Sequence, residues 1–570
     1  MTPEALLDAL EVVGDAPDGV ERLRDLIRQM AIEGLLTIAE REDRSATDLL
    51  KSIAVEKHRL MKAKVIRKPR SLPRDDPRSI FGNLPPNWSA AWLADCVSYD
   101  LTDGDWVESK DQDPDGEIRL TQLADVGVGV FKDVSERFLN EQTAERLRCT
   151  PLQLDDVLIA RLPRPLGRAC TFPGALQTCV TVVDVAIARP GNHSVLSHFL
   201  VLYLNSPEAR KRIAGLATGT TRQCVSTGNL RKLPVRVPPL AEQHRIVAKV
   251  DELMDLLDAF EKARDERDAR RTALRDSALA SLQNAEDADA VHTAWTRIAA
   301  NLDTLFTNPA DIAPLRQTIL QLAVRGRLVK QDPEDEPASE FLQTLREKKA
   351  AEKIREGQVG TLHGEESLKW EIPELWQWVP FGETHLNFDG NRVPLRSADR
   401  QQRQGPYPYY GASGVIDTID DYLFDGDFLL IGEDGANLVN RATPIAFVAS
   451  GKFWVNNHAH VLGSVDSGSL RYLGIFVNSI DLKPHLTGIA QPKLNQRRMN
   501  MIPTPVPPLA EQHRIVAKVD ELMAICDELE QRLTEARDTQ AAFAAAAVHH
   551  LDVGQWAARQ DFETAQATGA

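Results

Sequence analysis

The string VPPLAEQHRIVAKVDELM occurs twice without a mismatch, from Val237 to Met254 and from Val506 to Met523. Each copy opens on a Pro-Pro pair, which restricts the backbone before it and ends whatever element precedes. After that break Ile246, Val250, Leu253, Leu257 and Phe260 recur at alternating steps of four and three, the spacing of a heptad seam. The second copy carries the rhythm through Ile515, Val519, Leu522, Cys526, Leu529 and Leu533. The spacing predicts two helices of roughly 40 residues, about 60 Å each. Such a helix cannot hide its stripe on a head of about 150 residues, so pairing with the other copy is expected, packing on its own domain being the blander alternative. Arg264, Arg267 and Arg271 weaken the first seam, pointing to divergence or a partner contact.

The duplication reaches further. LRDLIRQMAIEGLL (Leu23 to Leu36) matches LRQTILQLAVRGRL (Leu315 to Leu328), 292 residues on, and EDRSATDLL (Glu42 to Leu50) matches EDEPASEFL (Glu334 to Leu342). LPPNWSAAW from Leu84 parallels IPELWQWV from Ile372. Thr218, Gly219 and Pro234 stand 269 residues before Thr487, Gly488 and Pro503, the offset of the repeated string itself. A repeat of this length marks two complete halves, each helix, head, helix. The expected organisation is a helical region at 1–83, a first head at 84–240, a central helix at 241–285, and a linker repeating the N-terminus at 286–370. A second head at 371–508, a distal helix at 509–550 and a tail at 551–570 follow. The heads read as mixed α/β: DDVLIARL, CVTVVDVAIA, GDFLLIGEDG and AHVLGSV are short strand candidates, and Ser197 to Gly215 and Arg471 to Leu486 read as helices. The fold class is therefore α+β, two mixed α/β heads separated by long antiparallel coiled-coil helices with internal pseudo-twofold symmetry.

With 43% hydrophobic and 26% charged residues, no long apolar run and an acidic N-terminus, the composition fits a soluble chain that stays in the cytoplasm. Six cysteines without a CxxC pair read as reduced thiols, mostly buried. A net charge of −16 does not advertise a nucleic-acid binder, but the charge is uneven. From Ile118 to Arg236 there are 16 Lys/Arg against 9 Asp/Glu, after a stretch at 100–117 with eight carboxylates and only Lys110. That stretch reads as an exposed loop, a DNA mimic or disordered. The second head has 11 Lys/Arg against 13 Asp/Glu, so any basic surface there must be local.

No phosphate loop, dinucleotide fingerprint or adenine-methyltransferase turn is present, so no catalytic residue is assigned. His458 and His460 share one face of a strand candidate, yet no carboxylate or cysteine stands nearby in sequence, and no metal is assigned. The heads do carry residues that grip base edges and phosphates. In the first these are Arg161, Arg164, Arg168, Thr220, Thr221, Arg222 and Gln223. In the second they are Arg392, Arg396, Tyr409, Tyr410, Asn457, His458, Gln491, Lys493 and Arg497. TGTTRQ and TGIAQPK hold equivalent places, as two readers of different sequences should show.

PPLAEQHRIVAKVDELM with its long helix, the LRQTILQLAVRGRLVKQDPEDEPASEFL block, the tryptophan-bearing head starts and YYGASGVIDTIDDYLFDGDFLLIGEDGA together resemble the DNA-specificity subunit of type I restriction-modification systems. The resemblance spans nearly the whole chain. It implies a non-catalytic subunit whose two recognition heads read an asymmetric bipartite target in double-stranded DNA, with the helices as spacer and docking surface. It also implies two methyltransferase subunits and two restriction subunits as partners, and no membrane. The assembled complex would be an adenine-N6 methyltransferase and ATP-dependent endonuclease, its S-adenosylmethionine, ATP and Mg used by the partners and no cofactor bound by this chain. The competing readings are a coiled-coil scaffold or regulator that binds no DNA, and an enzyme with activity of its own.

Overall fold

The computed structural model describes residues 3–568 apart from 39, 41–42, 70, 192, 220–222, 355–369 and 489–490, with side chains described from 5 to 549. The chain forms two units, Met1–Asp265 with Arg537–Ala570, and Glu266–Ala536. Each is built on the same scaffold. In the first, helices Gly19–Glu33 and Ala46–Lys62 precede the head, and the central helix Leu240–Gln283 follows it. In the second, Ile312–Val324 and Ala338–Ala351 precede the head, and the distal helix Leu509–Thr568 follows, running past residue 550. Gly34 and Gly326, 292 residues apart, both sit at positive φ (72° and 70°) just beyond their helices, where a side chain would be strained.

The expected seams are buried. Ile246, Val250, Leu253 and Leu257 lie in one core with Leu23, Leu26, Ile27 and Met30, and Ala544 of the distal helix belongs to the same core. Phe260 is partly buried against it. In the second unit Ile515, Val519, Leu522 and Leu529 share a core with Ile312, Leu315, Ile319 and Leu322, joined by Leu279 and Leu282 of the central helix, with Leu533 at its margin. Polar anchors repeat as faithfully. Arg24 pairs with Asp258 and Glu261, and Arg316 with Asp527 and Glu530. Arg245 meets Asp43 at 2.5 Å, as Arg514 meets Asp335 at 2.5 Å. Of the arginines that interrupt the first seam, Arg264 donates to the Gly14 carbonyl at 3.2 Å and Arg271 to Thr307 at 2.8 Å, so both have partners within their own units.

A tryptophan from each head start is locked to a glutamate of the repeated string: Trp88 Nε1 donates to Glu242 at 2.9 Å, and Trp376 Nε1 to Glu511 at 2.8 Å. Burial pushes the Glu511 carboxyl up to about 7, against the bonds from Trp376 and Gln331 that favour its charge. Glu242 is raised for the same reason, opposed by Trp88 and Thr37. With its folded pKa above its ordinary 4.5, Glu511 supports the fold fully below about pH 4.5, and that support is lost as pH rises through 7. Glu511→Gln is therefore expected to gain on the parent chain by on the order of 2–3 kcal/mol in urea unfolding between about pH 4.5 and pH 8. A stability difference independent of pH would contradict it.

The two heads share no obvious sequence but one topology. An antiparallel ribbon closes each base, Ser89–Trp92 with Pro234–Val237 and Gln377–Pro380 with Pro503–Val506. In the first head a four-stranded antiparallel sheet runs Leu101–Asp103, Val185–Ala188, Val157–Ala160, Ala169–Thr171. In the second the same order is Leu386–Asn387, Ala459–Gly463, Phe428–Gly432, Ala446–Ala449. A second sheet also matches: Ile118–Thr121 lies parallel to Cys179–Thr181 and antiparallel to Phe138–Leu139, just as Tyr407–Gly411 lies between Lys452–Val455 and Gly414–Ile419. The second head adds Phe424–Asp425 at the edge.

Three expectations change. The helix expected over 197–215 breaks into Ser197–Leu204 and Pro207–Gly215, because Pro207 has no N–H to continue it and Ser206 caps the new start by accepting from Ala209 N at 3.3 Å. Its counterpart is the helix Ser467–Ser479, which stops short of the expected Leu486. The acidic stretch 100–117 is ordered, with a strand at Leu101–Asp103, and its charges are largely used inside the head. Asp100 pairs with Arg231, Asp103 with Arg161 at 2.7 Å, and Asp111 with Arg146 at 2.6 Å. The apparent basic excess of 118–236 is thus partly neutralised in place. The cysteines are free thiols, four of them buried and Cys149 and Cys224 partly so.

Candidate functional site

The two equivalent polar loops are tied at their necks by the same hydrogen bonds. In the first head Thr218 N donates to Cys224 O and Cys224 N to Thr218 O, both at 2.9 Å, and Val225 N donates to Arg161 O at 3.0 Å. In the second, Thr487 N and Lys493 O, and Lys493 N and Thr487 O, pair at 2.8 Å, and Leu494 N donates to Glu433 O at 2.8 Å. Each neck holds a five-residue loop on the end of a buried central strand. Gln223 and Gln491 stand exposed on these loops. Thr220, Thr221 and Arg222 lie outside the described residues.

Around the first loop the arginines divide. Arg164 is exposed. Arg161 bonds the Val225 and Val183 carbonyls at 3.0 and 2.8 Å as well as Asp103, fixing the loop neck rather than projecting from it. Arg168, expected among the residues that grip DNA, is a correction: it is 9% exposed, and its guanidinium donates to the carbonyls of Val126, Leu123, Pro165 and Leu162. Burial accordingly lowers its pKa. Its role is to hold the chain around it, because a cation buried this far must be matched by acceptors.

Under the second loop lies a buried charge network. His460 Nδ1 donates to Asp389 Oδ2 at 2.6 Å and Nε2 to the Leu494 carbonyl at 2.8 Å. Both ring nitrogens face acceptors, the pattern of an imidazolium. Burial works against that charge, but Asp389, the Leu494 carbonyl and Glu433 together raise the His460 pKa above its ordinary range. Asp389 is lowered, the charge and bond of His460 outweighing its burial, with Arg392 adding to them. Arg392 bridges Glu433 at 2.8 Å and the Ala459 carbonyl at 2.7 Å, and Lys493 meets Glu433 at 3.1 Å. Arg392 and Lys493 are thus partnered within the head.

Tyr409 is a second correction. It is fully buried, its hydroxyl accepting from Leu395 N at 3.0 Å with Arg400 over its ring at 4.8 Å, so it serves the core and not the surface. Tyr410 is half-buried against Phe447 and Phe453. Arg396, Asn457 and Arg497 are exposed. His458 is exposed and meets Asp434 at 2.8 Å, while His460 turns inward, so the two histidines have separate carboxylate partners. Among the described residues no cluster of three or more His, Cys, Asp or Glu is arranged to hold a metal ion. Asp389, Glu433 and Asp434 escaped the reading of the sequence because they lie 71, 27 and 24 residues from the histidines they serve. No local spacing announces such pairs.

What the described part of each loop presents to solvent is an amide, Gln223 in the first head and Gln491 in the second, beside a neck tied to the end of a buried strand. That arrangement can donate and accept hydrogen bonds along a polar polymer. Among the described residues no helix is long and apolar enough to cross a membrane.

A family model described as the type I restriction modification DNA specificity domain matches residues 139–267 and 373–536, one segment in each half. The specificity subunits of the type I restriction enzymes EcoAI and EcoEI of Escherichia coli are each 27% identical to this chain, over 557 and 563 residues, with 92% of both chains covered. A solved structure of the HsdS subunit from Thermoanaerobacter tengcongensis is 18% identical, covers 82% of this chain and 97% of its own, and superposes with a TM-score of 0.40.

Proposed function

The chain belongs to the type I restriction-modification DNA specificity family, and from that premise we propose that it reads an asymmetric, two-part DNA target, one part per head, for partner subunits that do the chemistry. The observation that carries this is the contrast between constant scaffold and variable heads. Arg24 and Arg316, Trp88 and Trp376, and the two loop necks make matching bonds in the two halves, whereas the side chains on the loops differ. Two matching scaffolds suit two copies of one partner, a methyltransferase subunit, and two different loops suit two half-sites at a separation set by the protein. Restriction subunits would join the same complex in the cytoplasm. S-adenosylmethionine, ATP and Mg belong to those partners in this reading.

Replacing residues 371–508 with another head of the family tests it. Sequencing of adenine methylation in cells that also express the partner methyltransferase is expected to show one half of the target changed and the other retained. A target unchanged in both halves would refute independent readers.

A further inference from the structure

A cavity of about 960 Å³ opens in the second unit among the end of helix Ile312–Val324, the ribbon strand Gln377–Pro380 and the short helix Gln496–Asn500. Trp370 and Trp378 form one wall, their rings meeting edge-on at 5.1 Å, and the Arg325 guanidinium lies 5.6 Å from the Trp370 ring centre. Both indole Nε1 atoms are shut from solvent and have no hydrogen-bond partner among the described residues, so the indoles offer this space their rings rather than their N–H groups. Arg497 and Arg498 line the same space. Among the described residues the Arg498 guanidinium reaches only the Pro484 carbonyl, at 3.4 Å, and Arg325 and Arg497 have no ion-pair partner. Asp481 is the one carboxylate of the lining among the described residues.

The first half shows that the scaffold does not require this arrangement. Its residue at the offset of Arg325 is Glu33, and Ala90 stands where the second ribbon has Trp378. Arg236, opposite Ala90 in the ribbon, is neutralised where it sits: it meets Glu208 at 2.9 Å and lies 4.8 Å over the Phe81 ring. In the second half Pro505 replaces Arg236, the carboxylate at position 33 has become a cation, and a second indole has been added. Filled internal ion pairs have given way to an open, aromatic, cationic space.

We propose that this cavity binds a nucleotide, with its base against the indoles and its phosphate at Arg497 and Arg498. Aromatic walls favour a planar ring, and arginines favour phosphate oxygens. The volume lies within the roughly 300–1,000 Å³ of small-ligand sites. A free mononucleotide and a nucleotide within a DNA strand offer the same chemistry. The inference does not depend on which sequence the heads read, so it can fail while that reading stands.

Equilibrium dialysis of the intact chain against adenosine monophosphate, a short single-stranded oligonucleotide and inorganic phosphate tests it. Saturable binding is expected, weakened about tenfold or more in the Arg497→Ala/Arg498→Ala variant, and weakened in Trp378→Ala, which removes one ring of the aromatic wall. Circular dichroism checks that each variant is folded, with Arg498→Lys as the conservative control expected to bind partially. Arginine-dependent binding of the mononucleotide assigns the site to a free ligand, and arginine-dependent binding of the oligonucleotide alone assigns it to a strand. Inorganic phosphate binding as tightly as the mononucleotide, no saturable binding of either nucleotide probe, or binding unchanged in the double variant would each overturn the proposal.

Discussion

Asp389→Ala is expected to destabilise the second head by about 3–5 kcal/mol, because it strips the counter-charge from a buried imidazolium. Asp389 does two jobs: Oδ2 accepts from His460 at 2.6 Å and Oδ1 accepts from Val461 N at 2.8 Å. His460 in turn holds the Leu494 carbonyl, next to the neck of the exposed loop, so the loss should spread from the sheet to the loop. Hydrogen exchange of strand Ala459–Gly463 in the intact chain measures it. The pH dependence has two flanks. The raised pKa of His460 means its contribution is full below the ordinary imidazole range and lost as pH rises through the raised value. The lowered pKa of Asp389 means its contribution is present above the ordinary carboxylate range and lost as pH falls through the lowered value. The deficit of the variant should therefore be greatest between those flanks. A loss under about 1 kcal/mol there, the scale of an exposed ion pair, would show that the pair is not acting as a buried one.

Phe453→Ala should cost the same head about 3–5 kcal/mol by a different route, the cavity left by a buried ring. Phe453 is fully buried, stacked on Phe424 at 5.5 Å and edge-on to Tyr410 and Phe428 at 5.4 and 5.9 Å. Removing it unseats several aromatic pairs at once, and its strand neighbours Trp454 and Val455 pair with Tyr409 and Tyr410. Phe453→Leu, which refills part of the volume, should recover a substantial share of the loss. Urea unfolding followed by exchange of the second head separates the two variants, and equal costs for both would argue against a cavity. Among the described residues the first head has nothing comparable: its small core mixes Val126, Leu158, Cys170, Phe172 and Ile187, with one aromatic pair, Phe131 and Phe172. One strand order is thus filled by a largely aliphatic core in one head and by a core richer in aromatic rings in the other, so different residues serve the same topology.

The arginines illustrate how far composition misleads about charge. Sixteen basic residues between Ile118 and Arg236 looked like surface, yet Arg168 is buried, Arg161 pins a loop neck, and Arg231 pairs with Asp100, 131 residues away. The same holds for Arg392, expected at the surface and found bridging Glu433 in the network below the second loop.

The sequence by itself determined the two-half plan, the Pro-Pro breaks before the long helices and the residues of their seams, from Ile246 to Leu257 and from Ile515 to Leu529. Those features are local: a helix repeats every 3.6 residues, so neighbours three and four apart declare its buried face without knowledge of what covers it. Only the tertiary structure decided which polar residues remain free to act. Ion pairs such as Asp389 with His460 join residues far apart in the chain, and the common strand order of the heads depends on backbone hydrogen bonds that any side chain can accompany. Burial and partner together set whether a charged group supports the fold or faces a ligand, and both are fixed by distance in space, which no spacing along the chain encodes.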